Sequence, residues 1–62
     1  MPAYNVHSAT GDWLGYTWGV THDAAEAKAR RFFRRQVLLL RAGSDVLDAL
    51  LAAGVDCARR TA

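Results

Sequence analysis

Apolar and polar positions alternate along the first twenty residues, which is the period of a half-buried β-strand. Residues 4–8 and 13–20 are rich in aromatic and β-branched side chains, which favour strands. Every even position of the second run is apolar, and Tyr4 and Val6 continue that pattern in the first run. The two runs therefore predict an antiparallel hairpin with one apolar face.

The register of this hairpin can be predicted because residues directly opposite each other in an antiparallel pair share a face. A two-residue turn would set apolar side chains against polar ones. A three-residue loop over 9–11 instead sets Val6 opposite Leu14, and it places Gly11 at the left-handed position that such loops require. We therefore predict the three-residue loop.

A helical pattern begins at Thr21, which is a good N-cap, although Asp23 followed by Glu26 offers a competing start. Residues 24–41 contain no Gly or Pro and are dense in Ala, Leu and Arg, so they predict one long helix. Its apolar side, which includes Gln36 as a buried amide, should cover the hairpin.

Gly43 ends the long helix, and Ser44 caps a short second helix over 45–53. Residues 55–61 alternate again, so they form either a short C-terminal strand beside the hairpin or a frayed tail. The predicted fold class is α+β: an N-terminal antiparallel β-hairpin packed on a long α-helix, followed by a short second helix and, in one of the two alternatives, a closing strand.

Size and composition narrow the class of protein. The chain has 62 residues, one Cys and 52% hydrophobic residues, so we expect a single small domain over 1–62 and exclude a disordered tail and a disulfide scaffold. The longest apolar run, 37–40, is too short to cross a bilayer, and the N-terminus lacks a signal-peptide pattern. We expect a cytoplasmic protein of a bacterium or phage, with no membrane contact. Such a short chain buries only about 60% of its unfolded surface, so the apolar content also predicts a homodimer.

Charge is distributed unevenly along the chain. Residues 21–43 carry six basic and two acidic side chains, a net charge of +4, whereas residues 1–20 and 44–62 each carry −1. Five residues of this segment are predicted to bind nucleic-acid phosphates: Lys28, Arg30, Arg31, Arg34 and Arg35. Two alternatives stay open. The first is a solvated helix face whose arginines pair with Asp45 and Asp48 or cover Leu38 with their stems, and the second is a surface for an acidic protein partner.

The odd positions of the hairpin should point away from the helix and form a flat face with two glycines beside a Trp ring. This face is the second candidate surface, suited to a protein partner or to a second copy of the chain. Its residues are His7, Trp13, Gly15, Thr17 and Gly19. In the alternative interpretation, the glycines permit a bulge and Trp13 folds over the rim of the sheet.

Catalytic and metal-binding patterns are weak in this sequence. His7, His22 and Cys57 have no ligand spacing, and the sequence contains no glycine-rich phosphate loop. We therefore predict no catalytic residue, no metal site and no cofactor. The predicted function is that of a small non-catalytic regulator that binds DNA or RNA, and the alternative is a protein-interaction module such as an inhibitor, adaptor or assembly subunit.

The order of a hairpin followed by an Ala-rich helix start, residues 21–27, resembles the small arm-type DNA-binding domains of phage integrases, in which a sheet enters the groove. The resemblance covers about half of the chain. The chain departs from that pattern because it has no third strand before the helix and no basic residues on the sheet. No residue role follows from the resemblance, and it assigns no family.

Overall fold

The computed structural model describes residues 1–60, which form an α+β fold of four strands and two helices. The elements in chain order are β1 (Ala3–Ser8), β2 (Trp13–Trp18), α1 (His22–Phe33), β3 (Val37–Arg41), α2 (Ser44–Ala53) and β4 (Cys57–Arg59). The strands form one antiparallel sheet in the order β3-β1-β2-β4, so the hairpin lies at its centre. Neither helix within residues 1–60 has the length and apolarity needed to cross a membrane.

The hairpin loop closes as its sequence predicts. The Ser8 N–H donates to the Asp12 carbonyl at 2.8 Å, and the Gly11 N–H donates to the Ser8 carbonyl at 2.9 Å. Gly11 has a φ of +95°, a conformation that any other residue would disfavour. The three-residue loop is therefore confirmed.

The strand pairing beyond the loop differs from the prediction by one residue. Val6 lies opposite Gly15 and His7 lies opposite Trp13, so Leu14 is the extra residue of a β-bulge. The predicted pairing of Val6 with Leu14 is wrong, because alternation cannot reveal a bulge when the residues around it are apolar. The bulge places Gly15, and every second residue after it, on the same face as Val6.

The first helix is shorter than predicted. Thr21 is its N-cap and accepts a hydrogen bond from the Ala24 N–H at 3.1 Å, as the sequence indicates. The helix ends at Phe33, and Arg34 follows in the left-handed conformation with φ of +57° and ψ of +43°. The prediction of one long helix over 24–41 is therefore wrong.

The segment predicted to continue this helix is strand β3, which pairs antiparallel with β1. Leu has a high helix propensity, but propensity is a weak term that tertiary context overrides. As a strand, the segment satisfies the hydrogen-bonding groups along β1 and buries Val37 beside Val6 and Phe33. Gln36 lies exposed in the connecting turn, so the predicted buried amide is also wrong.

The sheet lies between the two helices. The core under α1 consists of buried apolar residues from three elements: Val6, Ala29, Phe33 and Val37. Leu50 of α2 is buried on the opposite side of the sheet, where Tyr16 and Ala58 line a groove beside the same helix. The hairpin therefore packs against both helices.

Part of the C-terminal segment 55–61 adopts the strand alternative, over Cys57–Arg59, while position 61 lies outside the described residues. Cys57 lies opposite Thr17, so β4 pairs antiparallel with β2 and covers that edge of the hairpin. The second helix ends at Ala53 as predicted. It begins one residue earlier than predicted because Gly43 is the N-cap, so the predicted cap at Ser44 is wrong.

Candidate nucleic-acid interface

The five basic residues predicted to bind phosphate lie in two kinds of local structure. Lys28, Arg30 and Arg31 belong to α1, whereas Arg34 and Arg35 belong to the turn that follows it. Because α1 ends at Phe33, the five residues do not lie on one helix, as the predicted long helix over 24–41 would have placed them. They cluster instead around the C-terminal end of α1, where all four arginines are exposed.

None of these four arginines has a carboxylate within 4.0 Å among residues 1–60. The ion pairs in that part of the chain join His22 to Asp23, at 3.9 Å, and Lys28 to Asp56, at 3.7 Å. The acidic residues of α2 therefore do not neutralise the arginines, and the form of the solvated-face alternative that pairs them with Asp45 and Asp48 is not observed among residues 1–60. The guanidinium groups are left facing solvent with their donors available.

Lys28 differs from the arginines because its charge is engaged within the protein. Its Nζ lies 3.7 Å from Asp56 Oδ1 and 4.1 Å from the centroid of the Trp18 ring, and its side chain is only 21% exposed. The Trp18 Nε1–H donates to the Val55 carbonyl at 3.0 Å, which holds the ring in place. Lys28 therefore ties α1 to the segment before β4, and it is less available to a phosphate than its neighbours.

Strand β4 brings a further arginine to the end of α1. The guanidinium carbon of Arg59 lies 5.0 Å from the centroid of the Phe32 ring and 5.6 Å from that of Phe33. Phe32 is 39% exposed, so an aromatic ring lies among the cations. We call this set of exposed arginines the basic surface, and its members are Arg30, Arg31, Arg34, Arg35 and Arg59.

The sequence contains no local signal for the position of Arg59. A residue near the end of the chain reaches α1 only because β4 pairs with β2, and the sequence left β4 open between a strand and a tail. Arg60 follows directly, and its N–H donates to the Leu14 carbonyl at 2.9 Å, which extends the ladder past β4. Both arginines lay outside the predicted site.

A groove of about 480 Å³ separates α1 from the segment before β4. Its walls combine charged and apolar side chains: Lys28, Arg31, Phe32, Val55, Asp56 and Cys57. Burial raises the pKa of the Cys57 thiol, although the Thr17 side chain and Lys28 act in the opposite direction. The thiol is thus neutral near pH 7 and is a weak nucleophile there. The groove suits binding of an anionic or aromatic group better than covalent chemistry.

The hairpin face predicted to meet a partner is largely covered. Gly15, Thr17 and Gly19 are buried, and Thr17 has no exposed surface. The bulge turns Gly15 and Thr17 towards α1, and Gly19 lies against Ala25 of that helix. The expectation that these three residues point away from the helix is therefore wrong.

The other two residues of that face are His7 and Trp13, which lie opposite each other and are partly exposed. The Trp13 Nε1–H donates to the Gly15 carbonyl at 3.1 Å, and its ring packs edge-on against Tyr16 with centroids 5.3 Å apart. This arrangement agrees with the alternative interpretation, in which a glycine permits a bulge and Trp13 folds over the rim. Leu38, which lies opposite His7 on β3, is 57% exposed.

The chemically reactive side chains lie apart from one another. His22 packs edge-on against Tyr4, with ring centroids 5.4 Å apart, while Cys57 is buried beside Thr17. Within residues 1–60, no three His, Cys, Asp or Glu side chains come together as metal ligands would.

Comparison of this chain with known protein families, with curated proteins and with solved structures finds no match. The function must therefore be argued from the chain's own residues and their geometry.

Proposed function

We propose that this protein is a small non-catalytic regulator that binds DNA or RNA through the phosphate backbone. The proposal rests on one observation: four exposed arginines lie around the end of α1, and none has a carboxylate partner within residues 1–60. Arg59 from β4 extends the set. A groove beside the same helix end, partly lined by Phe32, lets an aromatic ring contact the ligand.

Arginine suits this task because its planar guanidinium donates two parallel hydrogen bonds to a phosphate. Each phosphate that is neutralised also releases condensed counterions, which favours binding at low salt. The five arginines lie on the end of α1, on the turn after it and on β4, and not along one element that could present them together to base edges. We therefore expect binding that depends strongly on salt and only weakly on sequence.

A structural reason also exists for cations at this position. Basic side chains at the C-terminal end of a helix interact favourably with the helix dipole, by about 0.3–1 kcal/mol each at exposed sites. Arg30 and Arg31 lie in the last turn of α1 and gain this energy. The dipole therefore accounts for the position of these two residues without any ligand.

The helix dipole does not explain why an arginine occupies position 34. It holds the left-handed conformation, which costs an L-residue about 1–2 kcal/mol and which helices usually give to glycine at this position. That cost exceeds the gain expected from the dipole. An arginine at a position where glycine is more stable supports a role for its charge.

The experiment is a salt titration of binding, read by fluorescence anisotropy with a labelled duplex and a labelled single strand of matched length. If four phosphates are contacted on duplex DNA, the slope of log K against log salt should be about −3 to −4. The double variant Arg30→Gln/Arg31→Gln should reduce that slope by about two.

A matched control is Arg41→Gln. Arg41 is an exposed arginine at the C-terminal end of β3, whereas Arg35 precedes the N-terminal end of that strand. Its slope should equal that of the unaltered protein. Two results contradict the proposal: no binding of either nucleic acid at low salt, or a slope that the double variant leaves unchanged.

A further inference from the structure

The two outer strands of the sheet differ in how well they are protected from pairing with another chain. Strand β4 has three residues, and it carries Arg59 at its end. Strand β3 also ends in an arginine, Arg41, but it has five residues, contains no Pro or Gly, and exposes Leu38 and Leu40 to 57% and 58%. Long apolar edges are usually shortened, charged or covered, because they attract further strands. Strand β3 has none of these protections along its apolar part.

The backbone of β3 also has hydrogen-bonding groups that face outward. The Ala42 N–H donates to the Ala3 carbonyl at 2.9 Å, so the even positions of this segment point towards β1. Backbone groups alternate in direction along a strand, and therefore Val37, Leu39 and Arg41 direct their N–H and C=O groups away from the sheet. These groups form the free edge.

We propose that a second copy of this chain pairs with β3 through the same strand, in an antiparallel arrangement about a two-fold axis at Leu39. In this register, Leu39 lies opposite the partner's Leu39, and Val37 lies opposite the partner's Arg41. These are outward-facing residues, so each pair exchanges two backbone hydrogen bonds. A two-fold interface requires a surface that is complementary to itself, and β3 meets that requirement in its backbone.

The side chains match in the same register. Leu38 lies opposite the partner's Leu40, so the two exposed leucines of each chain cover each other on one face of the joined sheet. On the α1 face, Leu39 lies beside the partner's Leu39. The exposed apolar surface that the single chain leaves open is thereby buried.

The charges that flank β3 are complementary as well. Arg35 precedes the strand, and Asp45 follows it in the first turn of α2; both are exposed, and neither has an ion-pair partner among residues 1–60. An antiparallel arrangement brings opposite ends of the two strands together. Arg35 then lies opposite the partner's Gly43, two residues before the partner's Asp45, and the two-fold axis repeats this proximity of opposite charges. This complementarity favours a second copy over an unrelated strand.

The experiment measures mass by sedimentation equilibrium over a range of protein concentrations, with no nucleic acid present. We expect a monomer–dimer equilibrium. Arg41→Pro removes one outward N–H and no hydrogen bond within the chain, because the edge faces solvent. It should weaken the dimer by about tenfold or more, whereas Arg41→Ala, which keeps the N–H, should not.

A second test uses charge. Arg35→Glu and Asp45→Arg should each weaken the dimer by about tenfold or more, because like charges would then face each other. The combined variant Arg35→Glu/Asp45→Arg should restore it. Circular dichroism of every variant should show an unchanged fold.

Two results overturn this proposal. The first is a monomeric mass at every concentration, in which case a captured strand from another protein would be the alternative occupant. The second is a dimer that neither Arg41→Pro nor the single charge reversals weaken. Binding of nucleic acid by the monomeric Arg41→Pro variant remains measurable, so failure of the dimer and failure of the proposed function can be distinguished.

Discussion

Thr17 and Cys57 lie directly opposite each other in β2 and β4, and the Thr17 Oγ1 is 3.2 Å from the Cys57 Sγ. The same hydroxyl donates to the Asp56 carbonyl at 3.2 Å. Because Thr17 has no exposed surface, this contact holds the three-residue strand β4 to the hairpin from inside the protein. The position of Arg59 on the basic surface depends on that attachment.

Replacing Thr17 with Val should destabilise the protein by about 0.5–1.5 kcal/mol, because the volume is kept while the Asp56 carbonyl and the Cys57 thiol lose a hydrogen-bond partner. Urea unfolding followed by circular dichroism measures this loss. Ser44→Ala is the control, since Ser44 is exposed at the start of α2 and loss of its hydroxyl should change the free energy of unfolding by no more than about 0.5 kcal/mol. Equal effects of the two variants would contradict the role given to Thr17.

Stability should fall at alkaline pH because burial raises the pKa of the Cys57 thiol in the folded state. An unfolded thiol ionises above about pH 8.5, while the folded state keeps its proton to higher pH. The contribution to stability is thus complete below the unfolded pKa and is lost as the pH rises towards the folded one. Cys57→Ala should remove this component, so urea unfolding of the two proteins between pH 7 and about pH 10 should diverge. If the free energies of unfolding of the two proteins changed with pH in parallel, the role given to the Cys57 thiol would be contradicted.

Gly15→Ala should prevent normal pairing of β2 with β4. Gly15 has a φ of +153°, and a Cβ there would clash with the Ala58 carbonyl and lie 2.9 Å from the Arg59 Cα. Gly11→Ala is the control: its φ of +95° is also unfavourable, but a Cβ there meets nothing within 4 Å. We expect Gly11→Ala to cost about 1–2 kcal/mol and Gly15→Ala to cost clearly more, by thermal unfolding. Similar melting temperatures of the two variants would contradict the close contact between Gly15 and the backbone of β4.

Arg34→Gly should make the protein more stable and its nucleic-acid binding weaker. Glycine removes the cost of the left-handed conformation, and after its own loss of chain entropy we expect a net gain of about 0.5–1 kcal/mol. The proposed function requires the same variant to reduce the salt slope of binding by about one. A variant that is more stable and binds unchanged would show that Arg34 has no role at the basic surface.

Lys28→Gln should leave the salt slope of binding unchanged, whereas Arg31→Gln should reduce it by about one. The difference follows from the contacts of Lys28 with Asp56 and with the Trp18 ring, which engage its charge inside the protein. Lys28→Gln should instead lower the free energy of unfolding by about 1 kcal/mol, because the cation–π contact is lost. Anisotropy and urea unfolding, applied to both variants, separate the two roles. A Lys28→Gln slope as low as that of Arg31→Gln would contradict this assignment.

Local patterns in the sequence were sufficient to predict the loop, the cap and the second helix. Gly11 and Thr21 act through hydrogen bonds to residues next to them, so a short window contains the information needed. The basic residues of the candidate site were also recognisable, because four arginines lie within six positions. Their spatial arrangement was not, since it depends on where the helix ends.

Two errors came from interactions that a single sequence window does not contain. The run 37–40 is built from good helix formers, and only its pairing with β1 makes it a strand. The end of α1 at Phe33 could not be predicted from the sequence either. An arginine occupies the left-handed position after the helix, where a glycine would have indicated the boundary.

The bulge at Leu14 has a consequence for how this chain tolerates changes in length. Deleting Leu14 would leave Trp13 opposite His7 and Gly15 opposite Val6 as neighbours in a regular ladder, so every later residue of β2 would keep its face. A deletion after Gly15 would instead move the residues that follow it to the other face of the sheet. Variation in the length of β2 should therefore occur at position 14, where loss of the bulge absorbs it, and not beyond.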